Sequence, residues 1–384
     1  MGIVQSLFCT HAPQYLERFG QTMPGAHKKV IAAIMRCRSQ DNGATVYQCA
    51  ACGELHVVQR CCGNRHCPGC QQHKTRQWLD WQLKRQLPGH HFMLTFTVPE
   101  ALRAFIRSHQ SIGYGALFEA SSDAIKKLVP DPKYIGADTP GFFGVLHTWG
   151  RQLHYHPHIH YLVPGGAHSS KDRQWHPSSP SFYLPVRALS RIYRAKFRDA
   201  IQREGLLAQI PPEVWSIDWN VNCQAVGSGE ASLAYLSRYV FKVAISEQRI
   251  VRIDDANVIF QYRKPHSNRI RTMALPIMEF MRRFLQHVLP TGFMKVRYYG
   301  FLSPSCAVPI EEVKARIEMA QGFAARAPEI EIEAPPPMLC RHCGGALQLC
   351  RVILPPRRAP ITVNMPPRKP VVQQATITVL GSGP

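Results

Sequence analysis

Apolar and polar residues alternate along this chain with two different periods, and the change falls near residue 90. Before it, residues 12–38 read as helical. Val30, Ile31, Ile34 and Met35 recur at helical spacing beside Lys28, Lys29, Arg36 and Arg38. A cysteine-rich segment follows from Val46 to Cys70. The basic run QQHKTRQWLDWQLKRQL predicts another helix, stopped by Pro88 and Gly89. From His90 the texture becomes strand-like, in HFMLTFTV (91–98), FFGVLHTW (142–149) and HIHYLV (158–163). Between the first two lies a helical stretch from Pro99 to Leu128. The polar segment PGGAHSSKDRQWHPSSPS reads as a loop before a basic amphipathic helix near 186–204. A strand over 215–226, a helix over 230–244, a hairpin over 251–262 and a helix over 275–289 complete the pattern. Beyond Pro304 the chain reads as looser. After Leu354 it is rich in Pro and Arg, the composition of a flexible tail. Strands mixed with helices through non-uniform connections predict an α+β fold.

A length of 384 residues predicts more than one domain. The boundaries are set at 1–89 for a helical and metal-binding module, 90–303 for the main domain and 304–384 for a C-terminal region. The charge balance narrows the partner. Lys and Arg total 46 against 25 acidic residues, a formal charge of +21. Such an excess favours a polyanion held through phosphate contacts and counterion release. No apolar run is long enough for a spanning helix, and the first twenty residues lack the pattern of a secretory signal. The expectation is a cytoplasmic protein that faces nucleic acid.

Thirteen cysteines cluster in a way that suits metal rather than disulfides in a reducing compartment. Cys49-x-x-Cys52 and Cys67-x-x-Cys70 form two knuckles separated by fourteen residues. Two knuckles can close a tetrahedral site of four thiolates, with no position left for substrate, so the site is expected to be structural zinc. Cys61, Cys62 and His66 lie between them and could replace one ligand or serve a second metal. Cys340-x-x-Cys343, with His342 and Cys350 nearby, is a further candidate knuckle without an obvious fourth ligand. The basic surface around Arg60, Arg65, Lys74 and Arg76 is expected to be fixed by the zinc module against DNA.

His158 and His160 alternate along one strand, so both imidazoles share a face while Ile159 packs behind. Tyr235 and Tyr239 sit four residues apart in SLAYLSRYVFK, so on a helix they share a face, with Lys242 on a neighbouring part of it. Either pair alone is commonplace. A histidine pair on a strand together with tyrosines and a lysine on one helical face is not.

In these motifs the chain resembles the two-tyrosine HUH-endonuclease transposases, the insertion sequence 91 group that moves by a rolling-circle route. The resemblance runs from about Cys49 to Tyr299. It is carried by CAACGELHVVQRCCGNRHCPGC, HPHIH and YLSRYVFK, by LTFT (94–97), and by HVLPTGFMKVRYYG (287–300) without a residue-level role. It implies an N-terminal transposase zinc-binding domain and a ferredoxin-like or RRM-like catalytic core in a bacterial, nucleoid-associated enzyme. It also implies a catalytic Mg²⁺ or Mn²⁺ held by His158, His160 and one more polar ligand. If 142–149 and 156–163 form a hairpin turning near Gln152 and Leu153, His147 lies opposite His158 and is the preferred third ligand. Gln152 and His156 are the alternatives.

The implied chemistry is attack by a tyrosine phenolate on a phosphodiester, giving a 5′-phosphotyrosine and a free 3′-hydroxyl. Tyr235, Tyr239 and Lys242 are the catalytic candidates, Lys242 or the metal helping a phenol of pKa ~10 to ionise. Single-stranded DNA at the element's ends and target is the expected substrate, gripped by basic and aromatic side chains. The candidates for that grip are Arg65, Lys74, Arg76, Trp78 and Arg297. A replication initiator or relaxase would share the chemistry, but the zinc module and the lack of a helicase-like phosphate loop favour a transposase. A zinc-finger DNA-binding protein without catalysis is the reading from another class.

Overall fold

The computed structural model describes residues 2–241, 244–264, 267, 269–322 and 337–355. The expected N-terminal helix is two, α1 (Ile3–Phe19) and α2 (Gly25–Met35). Gly20 caps the first, and Pro24, which lacks an amide hydrogen, stands just before the second. The hairpin β1 (Ala44–Cys49) and β2 (Leu55–Gln59) follows, then α3 (Gln72–Lys84). Next come β3 (His91–Thr97), α4 (Leu102–Ser108), α5 (Gln110–Leu128), β4 (Gly141–Trp149) and β5 (Tyr155–Pro164). The polar stretch expected as loop contains a short ribbon, β6 (Gly166–His168) with β7 (Trp175–Pro177). After α6 (Val186–Arg203), the strand expected over 215–226 begins only at β8 (Val221–Ala225), because 212–215 winds into a 3₁₀ turn. Helix α7 is Glu230–Val240. The hairpin expected over 251–262 is a three-stranded meander, β9 (Ile250–Ile253), β10 (Asn257–Arg263) and β11 (Ile270–Pro276), leading into α8 (Ile277–Leu285). Strand β12 is Val296–Gly300. Residues past 304 are more ordered than their composition predicts, with α9 (Ile310–Gln321) and β13 (Leu347–Ile353). The tail expected after Leu354 lies almost wholly outside the described residues.

The architecture is mixed α+β with antiparallel sheets. The main sheet runs β12-β4-β5-β3-β8, every neighbour antiparallel. β4 and β5 are central, which is why they read as near-continuous apolar runs rather than as alternation. One face, with Leu94, Phe96, Leu146, Ile159 and Tyr161, packs on α4, α5 and α6 in the largest core. The opposite face, with Phe143, Val145 and Leu162, packs on Leu233, Leu236 and Val240 of α7. Burying a side chain such as Leu236 contributes about 2 kcal/mol, so these three residues dictate which face of α7 turns inward. Gly144 makes room for the aromatic layer, since a Cβ there would meet the Tyr161 ring at 2.4 Å.

A separate core joins α1 and α2 to α8 and the β9–β11 meander. Leu153, at the β4–β5 turn, is fully buried in it. Arg283 of α8 donates to the Gln152 carbonyl (3.2 Å) and Gln286 donates to the Leu153 carbonyl (2.8 Å). The turn that sets the register of the central hairpin is thus clamped from outside the sheet.

Candidate active site and cysteine clusters

In that register His147 lies directly opposite His158, and Val145 opposite His160. All three histidines therefore project from the α7 face, just past the apolar patch of Phe143, Val145 and Leu162. Their ligand nitrogens lie within 4.8 Å of one another, close enough for one ion. Gln152 and His156 do not join the group. Gln152 takes a hydrogen bond with His154, and the His156 carbonyl accepts from His158 Nδ1 at 2.7 Å.

The hydrogen bonds also orient the rings. Nδ1 of His160 lies 2.8 Å from Thr95 Oγ1, its cross-strand neighbour on β3. With Nδ1 of His158 and His160 so engaged, Nε2 of each is left for a ligand role. Nε2 of His147 is buried without a hydrogen-bond partner. Burial first, then the neighbouring imidazoles, hold His147 and His158 far below the usual histidine range, and burial followed by His156 holds His160 at about 4. Three neutral imidazoles converging on one point, one of them with an orphaned nitrogen, are the donor set a divalent cation requires.

Helix α7 brings Tyr235 and Tyr239 over this set. Their rings are 4.8 Å apart, Tyr239 is 4.4 Å from His147, and Tyr235 is 6.0 Å from His160. Tyr235 stays 37% exposed, within reach of a ligand in the cleft. Burial, then the neighbouring Tyr239, raises the Tyr235 phenol above its ordinary range. Lys242 lies outside the described residues. Another lysine is present: Lys295, just before β12, is half-buried, donates from its ammonium to the Tyr239 carbonyl and sits 4.7 Å over the Trp149 ring. Burial, then Arg65, pushes it down to about 7. Its sequence signal was a lone cation in the apolar run GFMKV, within a segment that resembled the family without an assigned role.

Histidines and tyrosines open onto a cleft of about 680 Å³. Its rim carries Arg151, Arg238 and Arg249, and among the described residues that line it none is acidic. Arg249 is braced by donating to the carbonyls of Gln261 (2.9 Å) and Arg151 (2.6 Å). The sequence did not single out these arginines: Arg151 and Arg249 reach the cleft only through the tertiary fold, and Arg238 stands between the two tyrosines on α7.

The cysteines do not assemble as expected. Cys49, Cys52, Cys67 and Cys70 do not share a site; Cys37, Cys62, Cys67 and Cys70 form one set, and Cys49, Cys52, Cys340 and Cys343 another. The reason is β2. Cys49 and Cys52 sit at the tip of the β1–β2 hairpin, and five residues of β2 then carry the chain roughly 16 Å back along the hairpin. The second knuckle therefore meets Cys37, which lies just before β1. Within this set Cys70 Sγ lies 3.4 Å from Cys37 Sγ and 3.6 Å from Cys62 Sγ. Among the other candidates, His66 is a structural acceptor, its Nε2 receiving the Leu289 amide at 3.1 Å.

Two family models match the chain. One, described as "Putative transposase", covers residues 141–309, and one described as "Transposase zinc-binding domain" covers residues 7–98. The chain is 35% identical to a putative transposase, y4qJ, of Sinorhizobium fredii over 85% of its own length and 86% of the relative's. The chain belongs to the insertion sequence 91 family of transposases. It is also 28% identical to the transposase for insertion sequence element IS801 of Pseudomonas savastanoi pv. phaseolicola, over 76% of this chain and 74% of that one. No solved structure matches. The zinc-binding domain and the cysteine sets together support structural zinc in this transposase. No helix among the described residues is long and apolar enough to cross a membrane.

For a transposase the DNA-facing residues matter, and three of the expected ones have partners within the protein. Arg65 donates to the carbonyls of Phe293 (2.7 Å) and Pro290 (2.8 Å), so its guanidinium is a strut between the zinc module and the catalytic half. Trp78 packs edge-on against Phe143, its indole donating to the Tyr298 hydroxyl at 3.2 Å. Arg297 lies 4.3 Å over Phe118. Lys74 and Arg76 are exposed on α3, as a phosphate contact requires.

Proposed function

We propose that the histidine–tyrosine cleft nicks and rejoins single-stranded DNA at the transposon ends and target, in a rolling-circle reaction, on an HUH-type core of the ferredoxin-like class. The observation that carries this reading is the convergence of His147, His158 and His160 beneath two helical tyrosines, in a cleft rimmed by arginines. An antiparallel sheet with histidines on its central strands and the tyrosine helix on one face is compatible with that core.

The three histidines would hold Mg²⁺ or Mn²⁺, which when bound would polarise the scissile phosphate and neutralise charge on its oxygens. Neutral imidazoles leave the dication's charge uncancelled, and Arg151, Arg238 and Arg249 add to it, so the cleft favours an anion. A tyrosine Oη attacks phosphorus as its proton leaves. An O–P bond to tyrosine forms, the P–O3′ bond breaks, and the departing oxygen takes a proton to become a 3′-hydroxyl. The reverse reaction with another 3′-hydroxyl rejoins the strand. The ring of Tyr239 lies nearer the histidines and is the first nucleophile in this scheme, leaving Tyr235 to act on a second end. Lys295, holding the Tyr239 carbonyl, positions the C-terminal turn of α7. Lys242 retains its expected role as a cation beside the phenolate.

In the same reading Lys74 and Arg76 grip DNA, and the set Cys37, Cys62, Cys67 and Cys70 holds the zinc of the N-terminal domain. The test is incubation with labelled single-stranded DNA from the element's ends and Mn²⁺, resolved on a denaturing gel. A covalent adduct is expected with wild type, absent from Tyr235→Phe/Tyr239→Phe and from His158→Ala. DNA bound tightly with no adduct under any metal would leave a binding protein without this chemistry.

A further inference from the structure

The pair Cys340 and Cys343 lies far in sequence from the segment matched by the zinc-binding family model, yet meets Cys49 and Cys52 in space. Cys49 Sγ is 3.4 Å from Cys343 Sγ, and Cys52 Sγ is 3.8 Å from Cys340 Sγ. These separations are too long for a disulfide of ~2.05 Å. They match the edge of a tetrahedron, which for zinc–sulfur bonds of ~2.3 Å is ~3.8 Å.

The backbone is built to the same end twice. In Cys49–Glu54, the Cys49 amide donates to the Glu54 carbonyl (2.9 Å) and the Gly53 amide to the Cys49 carbonyl (3.0 Å). In Cys340–Gly345, the Cys340 amide donates to the Gly345 carbonyl (2.8 Å) and the Gly344 amide to the Cys340 carbonyl (2.9 Å). Gly53 and Gly344 take the same left-handed backbone, with φ of 76° and 74°. The segments CAACGE and CRHCGG are thus two copies of one knuckle, facing each other. Gly345 lets them approach, since a Cβ there would lie 2.8 Å from Ala51 Cβ and 3.0 Å from Cys49 Sγ. Around Cys340 Sγ stand His56 Nε2 at 3.2 Å and the His342 amide at 3.4 Å, hydrogen-bond donors of the kind that offset the charge of a thiolate ligand.

We infer that Cys49, Cys52, Cys340 and Cys343 bind a second zinc ion, separate from that of Cys37, Cys62, Cys67 and Cys70, and that this ion staples the C-terminal strand to the N-terminal hairpin. The strand it fastens, β13, pairs along β1 from Ala44↔Ile353 to Cys49↔Leu347 and completes a three-stranded sheet. That sheet has little apolar cover: Leu55, Val57, Leu349 and Val352 are all exposed. Ala44 and Val46 of the central strand are buried, but a small sheet whose outer strands expose their apolar residues is marginal, so the metal supplies the missing fixation. The ring it closes, from Cys52 to Cys340, spans about three quarters of the chain.

Zinc is counted by mass spectrometry on the full chain carrying His158→Ala and His160→Ala, so that the histidine set contributes none. Two ions per chain are expected. Adding Cys340→Ser/Cys343→Ser should leave one ion and speed amide exchange over 338–353 and along β1 at least tenfold, with the loop 62–70 of the other set unchanged. Cys62→Ser/Cys67→Ser tests the other set, and Cys350→Ser, outside both, should keep two. Should a variant fail to fold, titration of the unaltered cysteines with a mercurial should release zinc in two steps. One zinc per chain, or two zincs retained in Cys340→Ser/Cys343→Ser, overturns the inference. Neither result depends on DNA cleavage.

Discussion

Thr95 touches no substrate in the proposed reaction, yet the histidine site should depend on it. Its hydroxyl is 2.8 Å from His160 Nδ1. A bond there fixes the ring plane and occupies Nδ1, leaving Nε2 for the metal. Thr95→Val removes the oxygen and little else, on a strand where valine is well accommodated. The hydrogen bond itself contributes about 1 kcal/mol, a factor of ~5. Loss of ring orientation adds to this, and outer partners of ligating histidines are generally worth 10–100-fold in metal affinity, about 1.4–2.7 kcal/mol. The assay is adduct formation, or direct Mn²⁺ binding, across a metal titration. The midpoint for Thr95→Val should rise at least tenfold, Thr95→Ser should stay near wild type, and the Tm should move by no more than a few degrees. A Thr95→Val curve superimposable on wild type would refute the claim that this bond orients His160 as a ligand.

Arg65→Ala should strand the Pro290 and Phe293 carbonyls, costing about 1–3 kcal/mol for each that is left unsatisfied, and lower the Tm without changing the salt dependence of DNA binding. Lys74→Ala/Arg76→Ala should do the reverse, keeping the Tm and reducing the salt slope by about 0.7 per lost contact on single-stranded DNA. Three imidazoles and no carboxylate suit Mn²⁺ better than Mg²⁺, so half-maximal activity should need less Mn²⁺, and equal potency would argue for an oxygen ligand not placed here. Acid should destabilise the metal-free protein. Folded His160 titrates near 4 against about 6.5 unfolded, so its contribution is present above 6.5 and lost as pH falls towards 4, at up to about 1.4 kcal/mol per unit for each such histidine. Denaturant midpoints measured from pH 7 to pH 4 would show it, and a flat profile would contradict neutral burial.

The parts legible in the sequence share a physical reason: they are set by local periodicity. Alternation along β5 places His158 and His160 on one face, helical spacing places Tyr235 and Tyr239 together, and a short hairpin puts His147 opposite His158. What was not legible depends on which surfaces meet. Arg65, Trp78 and Arg297 have the composition of DNA contacts, but apolar neighbours and carbonyls claim them first. The order past residue 304 was hidden for the same reason, since α9 buries Val313 and Ile317 against Trp175 and Phe301. The cysteine error was one of topology. Spacing alone pairs the nearest knuckles, whereas five residues of strand separate them and bring in Cys37 and the distant Cys340 and Cys343.

That topology also gives the zinc module a bearing on catalysis. Cys67 and Cys70 lie in the same core as α8 and Leu153, and α8 clamps the turn that holds His147 against His158. From the same short loop, Arg65 reaches the Pro290 and Phe293 carbonyls and His66 receives the Leu289 amide. Those residues lead directly to Lys295, whose ammonium holds the end of the tyrosine helix. Two routes therefore run from the first cysteine set, one to the histidine hairpin and one to α7. A closed four-thiolate site has no chemistry of its own to offer. By fixing the loop 62–70 it constrains both halves of the catalytic constellation at once, which accounts for a structural metal lying so close to a site that must hold histidines and tyrosines in register.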